Sequence, residues 1–126
     1  MDIYNQINKN PNFNWLVTAC EHSNDGFIFY RPHYPRWNNN IHYGNNTISS
    51  PSVLTIKNDD LTFFDERLIW LMDVDYYKQL YDKFGLPEFL QKINVVNRTW
   101  DNQFSNIISD ERKELEYLQM VEKYKK

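Results

Sequence analysis

Aromatic, basic and histidine side chains alternate along residues 30–43, YRPHYPRWNNNIHY. Aromatic rings stack on nucleic-acid bases, and guanidinium groups form paired hydrogen bonds with phosphate. The same residue types dominate hot spots between proteins. This stretch lies within residues 26–58, which contain no Asp or Glu although the whole chain carries a net charge of −3. We therefore predict a binding surface in this loop, formed by Tyr30, Arg31, His33, Tyr34, Arg36, Trp37, His42 and Tyr43.

Two classes of partner fit that loop, and a third interpretation involves no partner. In contact with another protein, its rings and guanidinium groups would be the buried anchors. In a nucleotide or nucleic-acid complex, Arg31 and Arg36 would bind phosphate. Tyr34 and Trp37 would then stack on the bases. In the third interpretation the loop is structural, and its rings pack onto the protein's own sheet.

Catalysis has few candidates in this sequence. The histidines His22, His33 and His42 are predicted to lie in turns or loops, where they would be able to act as a general base or bind a metal. Their spacing resembles no metal motif. The single cysteine, Cys20, excludes an intramolecular disulfide and is expected to be a small core residue. We predict no catalytic residue, no metal site and no cofactor, with a small hydrolase or metal-dependent enzyme using the loop histidines as an alternative.

Phosphate-binding loops and the serine-hydrolase motif are absent. Three glycines in the whole chain are too few for a Walker or Rossmann loop. No serine stands in a Gly-x-Ser-x-Gly elbow. The pair Asp73-x-Asp75 has the chemistry to bind a divalent cation, but we predict that Asp75 instead caps a helix.

The composition indicates one folded domain. The chain has 126 residues, of which 17% are aromatic, and a mean hydropathy of −0.73, which predicts a core of large rings inside a polar shell. No secretory signal is visible at the amino terminus, and no run approaches the roughly 18 apolar residues of a membrane span. We expect a cytoplasmic protein with no membrane partner, located in the host cell if it is viral. Enrichment in Asn, Lys, Ile and Tyr over Ala and Gly is typical of AT-rich coding sequences, including those of phages.

The first half of the chain is predicted to form a small antiparallel sheet. Residues 15–20 and 27–31 have the β-branched and aromatic character of strands, and the Asp25-Gly26 turn between them predicts a hairpin. Residues 53–57, VLTIK, are predicted as a third strand.

The second half is predicted to be helical. Thr62 and Asp65 fit a capping box that begins one helix. Asp75 is expected to cap a second helix, which Gly85 ends. Residues 86–107, which include Phe104, carry an almost continuous apolar stripe that predicts one or two further helices.

The last predicted helix covers residues 110–125 and begins at a Ser109 cap. Its apolar stripe is thin, so it either docks on its own domain or pairs with a second copy in a homodimer. The stripe residues that would form the dimer are Tyr117, Met120, Val121 and Tyr124.

These expectations combine into one α+β domain spanning residues 1–126. A small antiparallel sheet from the N-terminal half would pack against three to four helices from the C-terminal half. The function that we predict is non-catalytic binding through protein–protein contact, and the composition suits a phage- or mobile-element-encoded inhibitor or regulator of the anti-defence type. Binding of a nucleotide or nucleic acid through residues 30–43 is the main alternative.

Overall fold

The structure of the chain, a computed structural model, describes residues 2–58, 62–100, 103 and 107–125. Three α-helices and four β-strands have bounds within these ranges. In chain order they are α1 (Asp2–Lys9), β1 (Trp15–Ser23), β2 (Tyr30–His33), β3 (Leu54–Ile56), α2 (Met72–Phe84), β4 (Glu88–Arg98) and α3 (Asp110–Lys123). The predicted α+β class is confirmed. None of the helices in the described ranges is long and apolar enough to cross a lipid bilayer.

Strand β1 is the centre of the sheet. Strand β4 runs parallel to β1 along one edge, from the pair Leu16–Glu88 to the pair Ser23–Arg98. Strands β3 and β2 pair antiparallel with the first and last parts of β1, and they share its other edge because a strand has only two. Six consecutive residues of β1, numbers 15–20, are buried, as expected for a strand with neighbours on both edges.

The core lies between one face of the sheet and the helices α2 and α3. Trp15, Val17 and Cys20 project from β1 into this core. The Tyr77 ring of α2 stacks on Trp15, with ring centroids 6.4 Å apart. Met120 of α3 is fully buried in the same cluster, so the carboxy-terminal helix docks on its own sheet.

Helix α2 begins without a side-chain cap from its own segment. Instead, α3 binds the turn that leads into α2, where one carboxylate oxygen of the fully buried Glu116 accepts three backbone hydrogen bonds. The donors are the N–H groups of Ile69, Trp70 and Leu71, at 3.0, 2.8 and 2.9 Å. The second oxygen accepts from Nε of Arg112 at 2.8 Å. Burial alone would raise the pKa of Glu116, but these hydrogen bonds outweigh burial and hold that pKa below its usual value.

A second buried carboxylate also joins α2 to the end of α3. Asp75 lies inside α2, so the prediction that it caps a helix was wrong. Its oxygens accept hydrogen bonds from the Tyr124 hydroxyl at 2.6 Å, from Nζ of Lys123 at 2.9 Å and from Nε2 of Gln79 at 2.8 Å. Both carboxylate oxygens of Asp75 therefore have donors within the protein, and the residue joins α2 to α3 through its ion pair with Lys123.

Several predicted element ends are confirmed. Strand β1 covers residues 15–20 and extends to Ser23, and β3 lies within residues 53–57. Helix α2 ends at Gly85, whose φ of +79° lies in the left-handed region that favours glycine. Ser109 caps α3 as predicted, because its hydroxyl accepts from the backbone N–H of Arg112 at 3.1 Å.

Two predicted helices do not form. Residues 62–71 have no helix, because Asp65 binds the backbone and guanidinium of Arg67 and does not reach back to a cap. Residues 88–98 form strand β4, and Pro87 precedes a strand where a helix was expected. The sheet is therefore mixed, and one of its strands comes from the C-terminal half. Phe104, part of the expected helical stripe, lies outside the described residues.

Candidate functional site

The structure distributes the eight predicted loop residues over three regions. The side chains of Trp37, His42 and Tyr43 pack against α2 and α3. Tyr30 and Arg31 lie at the end of the sheet, on β2. Between these two regions along the chain lie His33, which is partly buried, and Tyr34 and Arg36, which are exposed.

The first region belongs to the core. The Trp37 ring stacks on Tyr81 of α2 at a centroid distance of 4.3 Å. The buried His42 ring contacts the Tyr43 and Tyr124 rings at centroid distances of 3.9 and 4.8 Å. Burial, followed by the charge of Lys78, lowers the pKa of His42, although Asp82 and Asp75 act in the opposite direction. For Trp37, His42 and Tyr43, this packing agrees with the interpretation in which the rings of the loop pack against the protein itself.

The intermediate residues form a short connection across the surface. Nε2 of His33 donates to the carbonyl oxygen of Thr47 at 2.8 Å, and the backbone N–H of Arg36 donates to the same oxygen at 3.2 Å. The side chains of Tyr34 and Arg36 are exposed. Among the described residues, the ring contact of Arg31 is with Tyr30, and no hydrogen bond or ring contact joins Arg31 to Tyr34 or Arg36.

The three histidines do not form one group, because His22 and His33 line a shallow pocket together with Arg31, whereas His42 packs against Tyr43 and Tyr124. The ring nitrogens Nδ1 of His22 and Nε2 of His33 donate to different carbonyl oxygens, those of Arg31 and Thr47, each at 2.8 Å. Among the described residues, no group of three or more His, Cys, Asp or Glu side chains is arranged to hold a metal ion.

The core-facing side of the sheet becomes polar at its far end. Cys20 pairs with Val95 of β4, and both belong to the core or pack against it. Two residues further along β1, His22 pairs with Asn97 of β4 and with Tyr30 of β2. Paired residues on neighbouring strands project from the same face, so His22, Asn97 and Tyr30 continue the core face beyond its apolar part.

A cleft of about 1230 Å³ opens over this polar end of the sheet. We call it the arginine cleft, because Arg31 and Arg98 line it together with His22, Tyr30 and Trp100. The guanidinium of Arg31 lies 4.9 Å from the Tyr30 ring centre, and that of Arg98 lies 5.9 Å from the Trp100 ring centre.

The hydroxyl of Tyr30 joins the two sides of the arginine cleft by a hydrogen bond with Oγ1 of Thr99. That hydrogen bond, followed by the neighbouring Arg31, lowers the pKa of Tyr30. A second polar wall comes from residues 49–50, since Oγ of Ser50 donates to Oδ1 of Asn97 at 3.0 Å.

Arg31 has an unusual backbone conformation. Strand β2 holds one more residue than β1 between two paired positions, which is a β-bulge. Arg31 lies in this bulge with φ of +49°, a left-handed conformation that costs an L-residue roughly 1–2 kcal/mol and favours glycine. Bulges often redirect a side chain next to a functional site.

Three consecutive apolar side chains project into solvent beside the arginine cleft. Phe27, Ile28 and Phe29, which we call the apolar tip, are 87%, 68% and 52% exposed. Residues 27–29 were predicted to begin the second strand, but β2 begins at Tyr30. Isolated exposed apolar residues are normal, whereas three in a row on one loop are typical of an interaction site.

Asp25 fixes the backbone that carries the apolar tip. Its Oδ1 accepts hydrogen bonds from the N–H groups of Phe27 and Ile28 at 2.8 and 2.9 Å. Bonds from Ile28, then Phe27, lower the pKa of Asp25. The N–H of Gly26 donates to Oγ of Ser23 at 2.8 Å, and Gly26 has the positive φ of +82° that this turn requires. The backbone at the start of the tip is therefore hydrogen-bonded to the end of β1 and to the turn that follows it.

Two features of this region escaped the sequence prediction. Arg98 and Trp100 were interpreted as parts of a helical stripe, so they were not considered together with Arg31. The apolar tip was interpreted as a strand, although the capacity of Asp25 to accept backbone hydrogen bonds two and three residues ahead is visible in the sequence.

Comparison with known proteins assigns no family to this chain. No family model, no curated protein and no solved structure matches it. The functional argument therefore depends on the geometry of the apolar tip and the arginine cleft.

Proposed function

We propose that this chain is a non-catalytic binding protein that inserts its apolar tip into an apolar pocket of a partner protein. The supporting observation is that Asp25 binds the backbone N–H groups of Phe27 and Ile28 in a turn that exposes three consecutive apolar side chains. Burying one such side chain is worth roughly 1.5–3 kcal/mol. A loop already ordered in the free protein loses less conformational entropy on binding, so more of this free energy remains as affinity.

The proposed mode of action is occupation of a partner's surface. A phage- or mobile-element-encoded inhibitor or regulator, including one that counteracts host defence, would act in this way without needing a catalytic group. The composition and the rigid tip are the two features that support this proposal. The partner would provide an apolar pocket for Phe27 and a polar rim facing the neighbouring arginines.

A homodimer through α3 is a second proposed contact. Its residues differ from those predicted from the sequence, which included Met120 and Tyr124. Met120 is buried and the Tyr124 hydroxyl is bonded to Asp75, so these two stripe residues are used within the chain. The outer face of α3 still exposes Leu115, Leu118 and Val121. Light scattering of the purified protein, with Leu118→Glu as the perturbing variant, tests this contact separately from the apolar tip.

The test of the apolar tip uses photo-crosslinking and then purified components. A benzoylphenylalanine side chain replaces Phe27 in one sample and Phe63 in the matched control, since Phe63 is a phenylalanine 70% exposed elsewhere. A partner crosslinked from position 27 in a lysate of the source organism, and not from position 63, is then purified. Its affinity is measured for the wild type, Phe27→Ser and Phe63→Ser.

We expect Phe27→Ser to weaken the purified complex by about 30-fold, the effect of losing about 2 kcal/mol at a central aromatic anchor. Phe63→Ser should bind like the wild type. Equal affinity of all three proteins, or crosslinking from both positions to the same set of proteins, would contradict the proposal.

A further inference from the structure

We propose that the arginine cleft binds a phosphate group attached to a flat ring system, the chemistry shared by free nucleotides and single-stranded nucleic acid. This inference is independent of the partner of the apolar tip. It replaces the predicted loop residues Arg36, Tyr34 and Trp37 by side chains that the fold brings together from β2, β4 and the segment after β4.

The described lining of the cleft has an excess of positive charge, because Arg31 and Arg98 outnumber its carboxylate, Asp25. In the described part of the chain, the ion pairs involve other cations, and none involves Arg31 or Arg98. The carboxylate that lines the cleft, Asp25, uses Oδ1 to accept the N–H groups of Phe27 and Ile28. Two guanidinium groups therefore face one cleft in a protein whose net charge is −3.

The two arginines stand on opposite sides of β1. Arg31 follows Tyr30, and Arg98 follows Asn97; Tyr30 and Asn97 both pair with His22. Neighbouring strands lie about 4.8 Å apart, so the two backbones are about 10 Å apart. Arg98 starts on the face of β4 opposite to Asn97, beside Val96, and its long side chain also lines the cleft at the end of the strand. Each guanidinium lies against an aromatic ring, which restricts its rotamers before a ligand arrives.

Phosphate suits this arrangement better than a carboxylate does. A guanidinium group binds phosphate through two parallel hydrogen bonds, and a phosphate has enough oxygen atoms to bond with two guanidinium groups at once. The half-exposed indole of Trp100 provides an aromatic surface in the same cleft. The volume of about 1230 Å³ exceeds the usual range of about 300–1000 Å³ for small-ligand pockets, which leaves room for a base and its sugar.

The test measures Trp fluorescence and calorimetric binding of three probes: inorganic phosphate, adenosine monophosphate and a short oligothymidylate. The variants are Arg31→Gly and Arg98→Gln, and the matched control is Arg36→Gln, an exposed arginine outside the cleft. Arg31→Gly removes the guanidinium while it relieves the left-handed backbone, so loss of binding cannot be attributed to loss of folding. Circular dichroism verifies the fold of each variant.

We expect each cleft variant to weaken nucleotide or oligonucleotide binding by about tenfold or more, and Arg36→Gln to bind like the wild type. Between about 50 and 200 mM NaCl, log K should fall with log salt, with a slope reduced by about one for each arginine removed. Tighter binding of oligothymidylate than of the mononucleotide identifies a single strand as the ligand, and the reverse order identifies a free nucleotide.

Three results would overturn the inference. One is the absence of binding by both ring-bearing probes at about millimolar concentration in low salt. The second is equal binding by the wild type and both cleft variants. The third is equal affinity for inorganic phosphate and for the two ring-bearing probes, which would remove the ring from the proposed ligand.

Discussion

The hydrogen bonds that Glu116 accepts from the turn before α2 allow a quantitative prediction about stability. Replacing Glu116 by Gln keeps the size of the side chain and one acceptor oxygen but removes the charge. In the wild type the carboxylate of Glu116 accepts hydrogen bonds from three backbone N–H groups and from the guanidinium of Arg112. The variant therefore tests whether a buried carboxylate from a distant helix fixes the start of α2.

The magnitude follows from the hydrogen bonds. A hydrogen bond to a charged group contributes roughly 1.5–3 kcal/mol, and one between neutral groups contributes roughly 0.5–1.5 kcal/mol. Three bonds that lose about 1 kcal/mol each, partly offset because a neutral amide is less costly to bury, give a loss of about 2–3 kcal/mol in the free energy of unfolding. For a chain of this size the midpoint temperature should fall by about 8–11 °C.

Urea unfolding followed by circular dichroism at pH 7 measures this loss by linear extrapolation. The matched control is Glu114→Gln on the exposed side of the same helix, expected to change the free energy of unfolding by less than about 0.5 kcal/mol. Equal urea midpoints for Glu116→Gln and Glu114→Gln, with unchanged slopes, would refute the reasoning.

The same comparison has a defined pH dependence. Because the folded protein lowers the pKa of Glu116, its stabilising contribution is fully present above the unfolded pKa of about 4.5 and is lost as the pH falls through the folded value. The difference in unfolding free energy between the wild type and Glu116→Gln should therefore be constant near neutrality and decrease below about pH 4.5. A difference that stays constant under acidic conditions would show that the charge is not its cause.

Three further predictions concern residues first considered as functional. Trp37→Ala should lower the free energy of unfolding by about 2 kcal/mol, because its partly buried indole stacks on Tyr81 against the core. Tyr34→Ala removes an exposed ring and should change it little, and urea unfolding compares the two variants. The buried Cys20 thiol should react with a thiol reagent only as fast as the chain unfolds, so its labelling rate should rise sharply in urea. Burial lowers the pKa of His42, so stability is complete above about pH 6.5 and should decrease as the pH falls towards 5, a slope that His42→Phe should reduce.

The sequence predicts those elements whose signals are local. Ser109 and Gly85 mark the ends of helices because a cap hydroxyl and a positive φ act within one turn of the residue itself. Strand β1 is recognisable from its own run of β-branched and aromatic residues. In each case, neighbouring residues provide the physical determinant.

The elements that the sequence mispredicts depend on distant partners. Strand β4 has apolar residues at a spacing that also fits a helix, and its pairing with β1 decides between the two. The capping box at Thr62 is not used, because Asp65 accepts hydrogen bonds from Arg67 and from the distant Lys123 of α3. The candidate site also depends on distant partners. Arg31 and Arg98 line the same cleft because β2 and β4 each pair with β1, and no local sequence pattern connects the two residues.

The parallel pairing of β1 with β4 also affects how the protein is made. Ribosomes synthesise chains from the amino terminus at about 5–20 residues per second, and β1 waits for a partner about seventy residues further along. The most apolar strand therefore emerges several seconds before its longest neighbour exists. During that interval β2 and β3 are available to one edge of β1, whereas its β4 edge stays unpaired and accessible to chaperones until translation has passed Arg98.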